Sequence, residues 1–145
     1  MARFVRERLE AHKHVFLGTL RADGAPRISG IEVTIGAGEI WLGSMTASRK
    51  IKDLRRDPRM VLHSGSDDPP SFVGDARVSG RAEFVDDDGG RAPYLELLGG
   101  QSPGDFELLR VQIEEVMTVA VAPSGDRLEY QIWRPGEAVR RKERA

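Results

Sequence analysis

The sequence contains no cysteine, which excludes disulfides, thiolate metal sites, protein-ligated iron–sulfur clusters and a cysteine nucleophile. A cysteine-free chain also suits a reducing cytoplasm, the compartment expected for it. Histidine is scarce: His12, His14 and His63 are the only three, and none stands with acids at metal-ligand spacing, so they read as satisfied or exposed side chains. No serine sits in a G-x-S-x-G setting, and no Ser/His/Asp arrangement can be assembled. A Walker-type glycine loop is missing, which argues against nucleoside-triphosphate hydrolysis. Long apolar runs are missing too. The stretch "VFLGTL" is too short for a signal-peptide core, and nothing approaches a membrane span. With a formal net charge of −1, general polyanion affinity is excluded, and any anion site must come from local clustering.

What remains is a 145-residue chain, 39% hydrophobic and 31% charged, long enough to bury about two-thirds of its unfolded surface as one domain, 1–145. Arginine outnumbers lysine 18 to 4. Residues 3–13 place Phe4, Val5 and Leu9 at helical spacing, so 1–13 reads as an amphipathic lead-in helix. "HVFLGTLR", the turn "ADGAP" and "RISGIEVTI" read as a hairpin, and "IWLGS" as a third strand after "GAGE". "RMVLHS" and "DARVSGRAEFV" continue the β pattern on either side of the polar loop "SGSDDPPS". A short helix is expected near Tyr94–Leu98, then a long strand from "FELLRVQ" to "VAVA", then "RLEYQIWR". "VDDDGG" reads as a solvated turn, since it lacks the further ligands of a calcium loop. Residues 136–145 read as a basic, solvated tail. Six to seven antiparallel strands with two or three short helices favour a closed or split β-barrel, because closure removes exposed edges.

The segment "SMTASRKIKDLRRDP" carries the sharpest functional signal. Ser48 is a plausible N-cap, Ile51 and Leu54 form an inward stripe, and Asp57-Pro58 is the stop. Arg49, Lys50 and Lys52 then crowd the positive end of the helix dipole, where each exposed cation costs about 0.3–1 kcal/mol relative to a carboxylate. A docked dianion reverses that sign, because free N–H groups and the dipole both attract it. The alternative is a solvated helix whose cations lean into water. Arg27, opening the second strand, is placed to converge on the same anion. Gly30 and Gly43 either let a flat ligand approach the backbone or mark bulges. Trp41 reads as core; Trp133 reads equally as core or as the wall of an aromatic cofactor.

"FLGTLRADGAPRISGIEV", "GEIWLGSMTASRKIKDLRRDPRMVLHS" and "DARVSGRAEFV" together resemble the pyridoxamine 5'-phosphate oxidase-like family of flavin and deazaflavin proteins. The likeness spans about residues 4–135. It implies a mainly β, FMN-binding-like split barrel acting as a homodimer, with cofactor sites in clefts between subunits. It further implies that Arg27, Arg49 and Lys50 contact the cofactor phosphate, with Ser29 and Ser48 beside them. Leu42, Gly43 and Ser44 would line the ring and ribityl region, and Trp133 with Arg140 or Arg141 would come from the second subunit. Two positions depart from the oxidases of vitamin B6 phosphates. Glu32 stands where they carry lysine, a departure from their standard FMN phosphate contact, and "VRRKER" lacks their Arg-x-His substrate motif, so pyridoxamine phosphate oxidation is not expected. The Arg-rich composition resembles actinobacterial relatives, some of which use a deazaflavin coenzyme. The expectation is an oxidoreductase transferring a hydride between FMN or the deazaflavin coenzyme F-420 and an organic substrate. No catalytic side chain is assigned, and the alternative is a non-catalytic flavin, deazaflavin or haem carrier.

Overall fold

The computed structural model describes residues 1–145. Its elements in chain order are α1 (Ala2–Glu10), β1 (Val15–Leu20), β2 (Pro26–Gly36), β3 (Glu39–Ser44), α2 (Arg49–Arg56), β4 (Arg59–His63), β5 (Gly74–Phe84), α3 (Asp88–Leu97), β6 (Glu107–Val121), β7 (Leu128–Trp133) and β8 (Arg140–Arg144). All pairings are antiparallel, in the order β3-β2-β1-β4-β5-β6-β7-β8, and a further β3–β6 pairing closes the first six strands into a barrel.

Closure depends on the length of β6. Its first residues, Glu107–Arg110, pair with β3, whereas Val116–Val121 pair with β7. One 15-residue strand therefore shuts the barrel at one end and leaves it at the other. A bulge helps it turn: Ser79 pairs with Glu115 but Gly80 with Ile113, leaving Glu114 as the extra residue. A Cβ on Gly80 would lie 2.0 Å from the Gln112 carbonyl oxygen, so only glycine fits there.

Alternating residues of the barrel strands, among them Leu17, Ile31, Leu42, Leu62, Val78 and Leu109, meet Val5 and Leu9 of α1 and Ile51 and Leu54 of α2 in one core. Trp41 is also buried, in a smaller cluster with Val85, Tyr94 and Leu108 under α3. The lead-in helix ends at Glu10, short of residue 13.

Two expectations are corrected and a third is refined. The tail is not free, because Arg140–Arg144 pairs with β7 as an exposed edge strand. An all-charged edge suits that place, since it discourages further strand pairing. Within "VDDDGG", Asp87 accepts a hydrogen bond from the Gly90 N–H at 2.8 Å and caps α3, which thus starts six residues before Tyr94. Ser48 does stand at the N-cap of α2, but its side chain makes no capping bond. Its Oγ lies 3.2 Å from Ser44 Oγ instead, so the hydroxyl ties the helix start to the end of β3.

Candidate functional site

Helix α2 packs Ile51 and Leu54 inward, and its opposite side carries Arg49, Lys52, Asp53 and Arg56 at helical spacing. That polar side borders the turn end of the β1–β2 hairpin, with Asp53 buried and Arg49, Lys52 and Arg56 exposed. Together with Arg21, Ala22, Asp23 and Arg27 from the hairpin, these four residues line a cavity of about 320 Å³. Five cations and two carboxylates give the cleft a net charge of +3.

The cations differ in how they are held. Arg27 Nε donates to Asp53 Oδ2 at 2.7 Å, and Arg56 donates to Asp53 Oδ1 at 3.0 Å and to the Leu20 carbonyl at 2.7 Å. Arg21, Arg49 and Lys52 make no ion pair and no side-chain hydrogen bond within the chain. Thr19 Oγ1 completes the carboxylate's partners at 2.8 Å. Burial pushes the Asp53 carboxyl up, but the bonds from Arg27, Thr19 and Arg56 outweigh it and leave it below its ordinary value. Asp53 is thus an anion inside the cleft. The unpaired cations, with the forked guanidinium of Arg27, form a donor set suited to phosphate.

The predicted site residues do not all meet. Arg27 and Arg49 share the cleft. Lys50, one residue from Arg49, points elsewhere, its Nζ donating to the Gly30 carbonyl at 3.2 Å on the outer face of β2. Lys52, one of the cations at the helix start but not assigned to the phosphate from sequence, lines the cleft with Arg49. Ser29 follows Arg27 on the same strand face, with its Oγ buried and without a partner. The Leu42 side chain is fully buried, so it offers a cofactor only backbone, already paired with β2 and β6. Gly43 and Ser44 line a second cavity of about 360 Å³ with Glu32, Thr34 and Tyr94. Burial is the main reason the Tyr94 hydroxyl is raised above its ordinary value; a bond from Thr34 opposes this and the Glu32 charge adds to it. Glu32 lies 3.4 Å from Lys13 Nζ and 3.7 Å from His14 Nε2.

The two candidate glycine platforms part company. A Cβ on Gly43 would meet the Tyr94 hydroxyl at 3.2 Å, so helix α3 already covers that face. A Cβ on Gly30 would meet nothing nearer than His14 Cβ at 3.9 Å. The surface around Gly30 is therefore open, and it is flanked by Phe16 and Ile28, 54% and 74% exposed. Trp133 lines a third, apolar cavity of about 390 Å³ beneath α1, and Arg140 lies 3.6 Å from Glu137. Within one chain neither reaches the basic cleft.

Residues 1–120 match the family model described as pyridoxamine 5'-phosphate oxidase. No curated protein matches the sequence. Among solved structures, ChuZ of Campylobacter jejuni superposes with a TM-score of 0.69 at 14% identity, over 93% of this chain and 59% of that one. A Listeria innocua protein, provisionally described as a pyridoxamine 5'-phosphate oxidase, superposes at 0.61 with 18% identity, over 79% and 94%. The heme storage protein HutZ of Vibrio cholerae superposes at 0.58 with 20% identity, over 77% and 89%. These likenesses establish a shared fold.

Proposed function

The chain belongs to the pyridoxamine 5'-phosphate oxidase family, and from that premise we propose that it is an oxidoreductase holding a flavin-type cofactor, FMN or the deazaflavin coenzyme F-420. The observation that carries the reading is the basic cleft, where Arg49 and Lys52 of α2 and Arg21 of the hairpin converge without acid partners beside Arg27. Like charges gathered in this way repel one another and the helix dipole, and a bound phosphate relieves both.

Arg27, Arg49, Lys52 and Arg21 hold the phosphate. Ser44 and Ser48 bridge the end of β3 to the start of α2 and border the chain leading to the ring. The open surface at Gly30 receives the flat ring, with Lys50 and Glu32 at its edges. When bound, the cofactor supplies hydride transfer to or from an organic substrate, and the chain's own residues bind, orient and shield it. A second copy of the chain covers the exposed Phe16 and Ile28 and brings Trp133 and Arg140 toward the ring, so the working unit is a homodimer.

Haem carriage is the second reading, favoured by His14 beside the open Gly30 surface. One titration separates the two. Binding of FMN or the deazaflavin by fluorescence quenching at micromolar concentration, followed by turnover of the reduced cofactor with quinones or enones, is the expected result. Failure to bind either, with a Soret band on haem addition that His14→Ala removes, would replace the oxidoreductase with a haem carrier.

A further inference from the structure

Asp53 is the one charged residue among the buried side chains, at 3% exposure. It lies one turn after Arg49, on the helix face turned to the hairpin. Its carboxylate joins three elements: Thr19 of β1, Arg27 of β2 and Arg56 of α2. Thr19 and Arg27 are direct cross-strand partners, so both donors reach Oδ2 from one rung of the hairpin.

This arrangement fixes what Arg27 presents. Only its Nε is bonded within the chain, to Asp53. The guanidinium is held by one edge, and its two terminal nitrogens remain available on the cleft side. A fork presented by two terminal N–H groups matches two oxygens of one phosphate. An unanchored arginine would have to give up several rotamers on binding, and anchoring removes that cost beforehand.

Resting on the phosphate reading above, we propose that Asp53 is the positioning residue of the cleft, holding Arg27 and Arg56 in the anion-receiving geometry before a ligand arrives. Its effect on the field has the opposite sign. As one of two carboxylates among five cations, it weakens the attraction for an anion, so its neutralisation would tighten binding if field alone mattered. Positioning predicts that neutralisation loosens binding. The two accounts therefore disagree in sign.

The experiment titrates FMN against riboflavin, and the deazaflavin coenzyme against its phosphate-free riboflavin-level core, into wild type, Asp53→Asn, Thr19→Val and Arg27→Ala. The readout is the ratio of affinities with and without phosphate, which a general loss of structure would not move selectively. For Asp53→Asn the ratio is expected to fall about tenfold, as for loss of one charge-assisted bond, while affinity for the phosphate-free core stays unchanged. Thr19→Val keeps the charge, removes one anchor of the carboxylate and should lower the ratio by a smaller factor. If Asp53→Asn does not fold, Thr19→Val and Asp53→Glu carry the test. A wild type with no preference for the phosphorylated form would overturn the phosphate reading itself. A wild-type preference that Arg27→Ala abolishes, but that Asp53→Asn keeps or strengthens, would overturn the positioning role alone.

Discussion

Arg49→Ala should make the protein more stable and a poorer phosphate binder at the same time. Arg49 is the first residue of α2, exposed, with no ion pair, at the positive end of the helix. Removing an exposed cation from that end relieves about 0.3–1 kcal/mol. With an unfolding entropy of about 2.1 cal/mol/K per residue, a chain of this length converts that gain into a rise in Tm of about 1–3 °C. The cleft's net charge falls from +3 to +2, and loss of one charge-assisted contact to an anion corresponds to an affinity loss of about tenfold. Differential scanning calorimetry in phosphate-free buffer measures the first effect, since bound anion would itself raise Tm. FMN titration at two salt concentrations measures the second, and the salt dependence should shrink together with the affinity. A lower Tm with unchanged FMN affinity would refute the reasoning, because it would make Arg49 a structural contact rather than a strained ligand.

Other consequences are equally concrete. Gly80→Ala forces a Cβ to within 2.0 Å of a backbone oxygen at the β5–β6 bulge; destabilisation by about 3 kcal/mol or more is expected in urea unfolding, and a change under 1 kcal/mol would mean the bulge relaxes freely. Asp53 sits below its ordinary value in the folded state, so its contribution is full above the unfolded carboxyl's value, about 3.9, and fades as pH falls through the lower folded value. The acid limb of stability should accordingly be shallower in Asp53→Asn than in wild type, and parallel limbs would contradict that linkage. Deleting residues 140–145 uncovers the edge of β7; light scattering on heating should rise, and scattering equal to that of the intact chain would show that β8 does not protect it.

The barrel was legible because its strands are bounded by turn residues and alternate apolar with polar positions, and because Ile51 and Leu54 mark the buried side of α2. Strand β8 was not, since "RRKER" has no apolar face and is held by backbone pairing with β7 and by exposed ion pairs such as Arg127–Glu143. The cations of α2 were legible as a group but not in detail. Adjacent residues on a helix point about 100° apart, so Arg49, Lys52 and Arg56 share the helix face that lines the cleft while Lys50 turns toward Gly30; that spacing was the available signal for Lys52. Asp53 gave no such sign. Next to Arg56 at i+3 it looks like half of a surface ion pair, and its burial arises only when the turn end of the hairpin, with Thr19 and Arg27, closes over it.

The most direct test of the anion cleft is a crystal structure of the protein grown with saturating FMN or the deazaflavin coenzyme. The account predicts the cofactor phosphate within hydrogen-bond distance of Arg27 and Arg49, with the ring over Gly30. A phosphate held elsewhere, whether at Lys50 on the outer face or at the apolar cavity beside Trp133, would contradict it, as would crystals in which neither cofactor is bound.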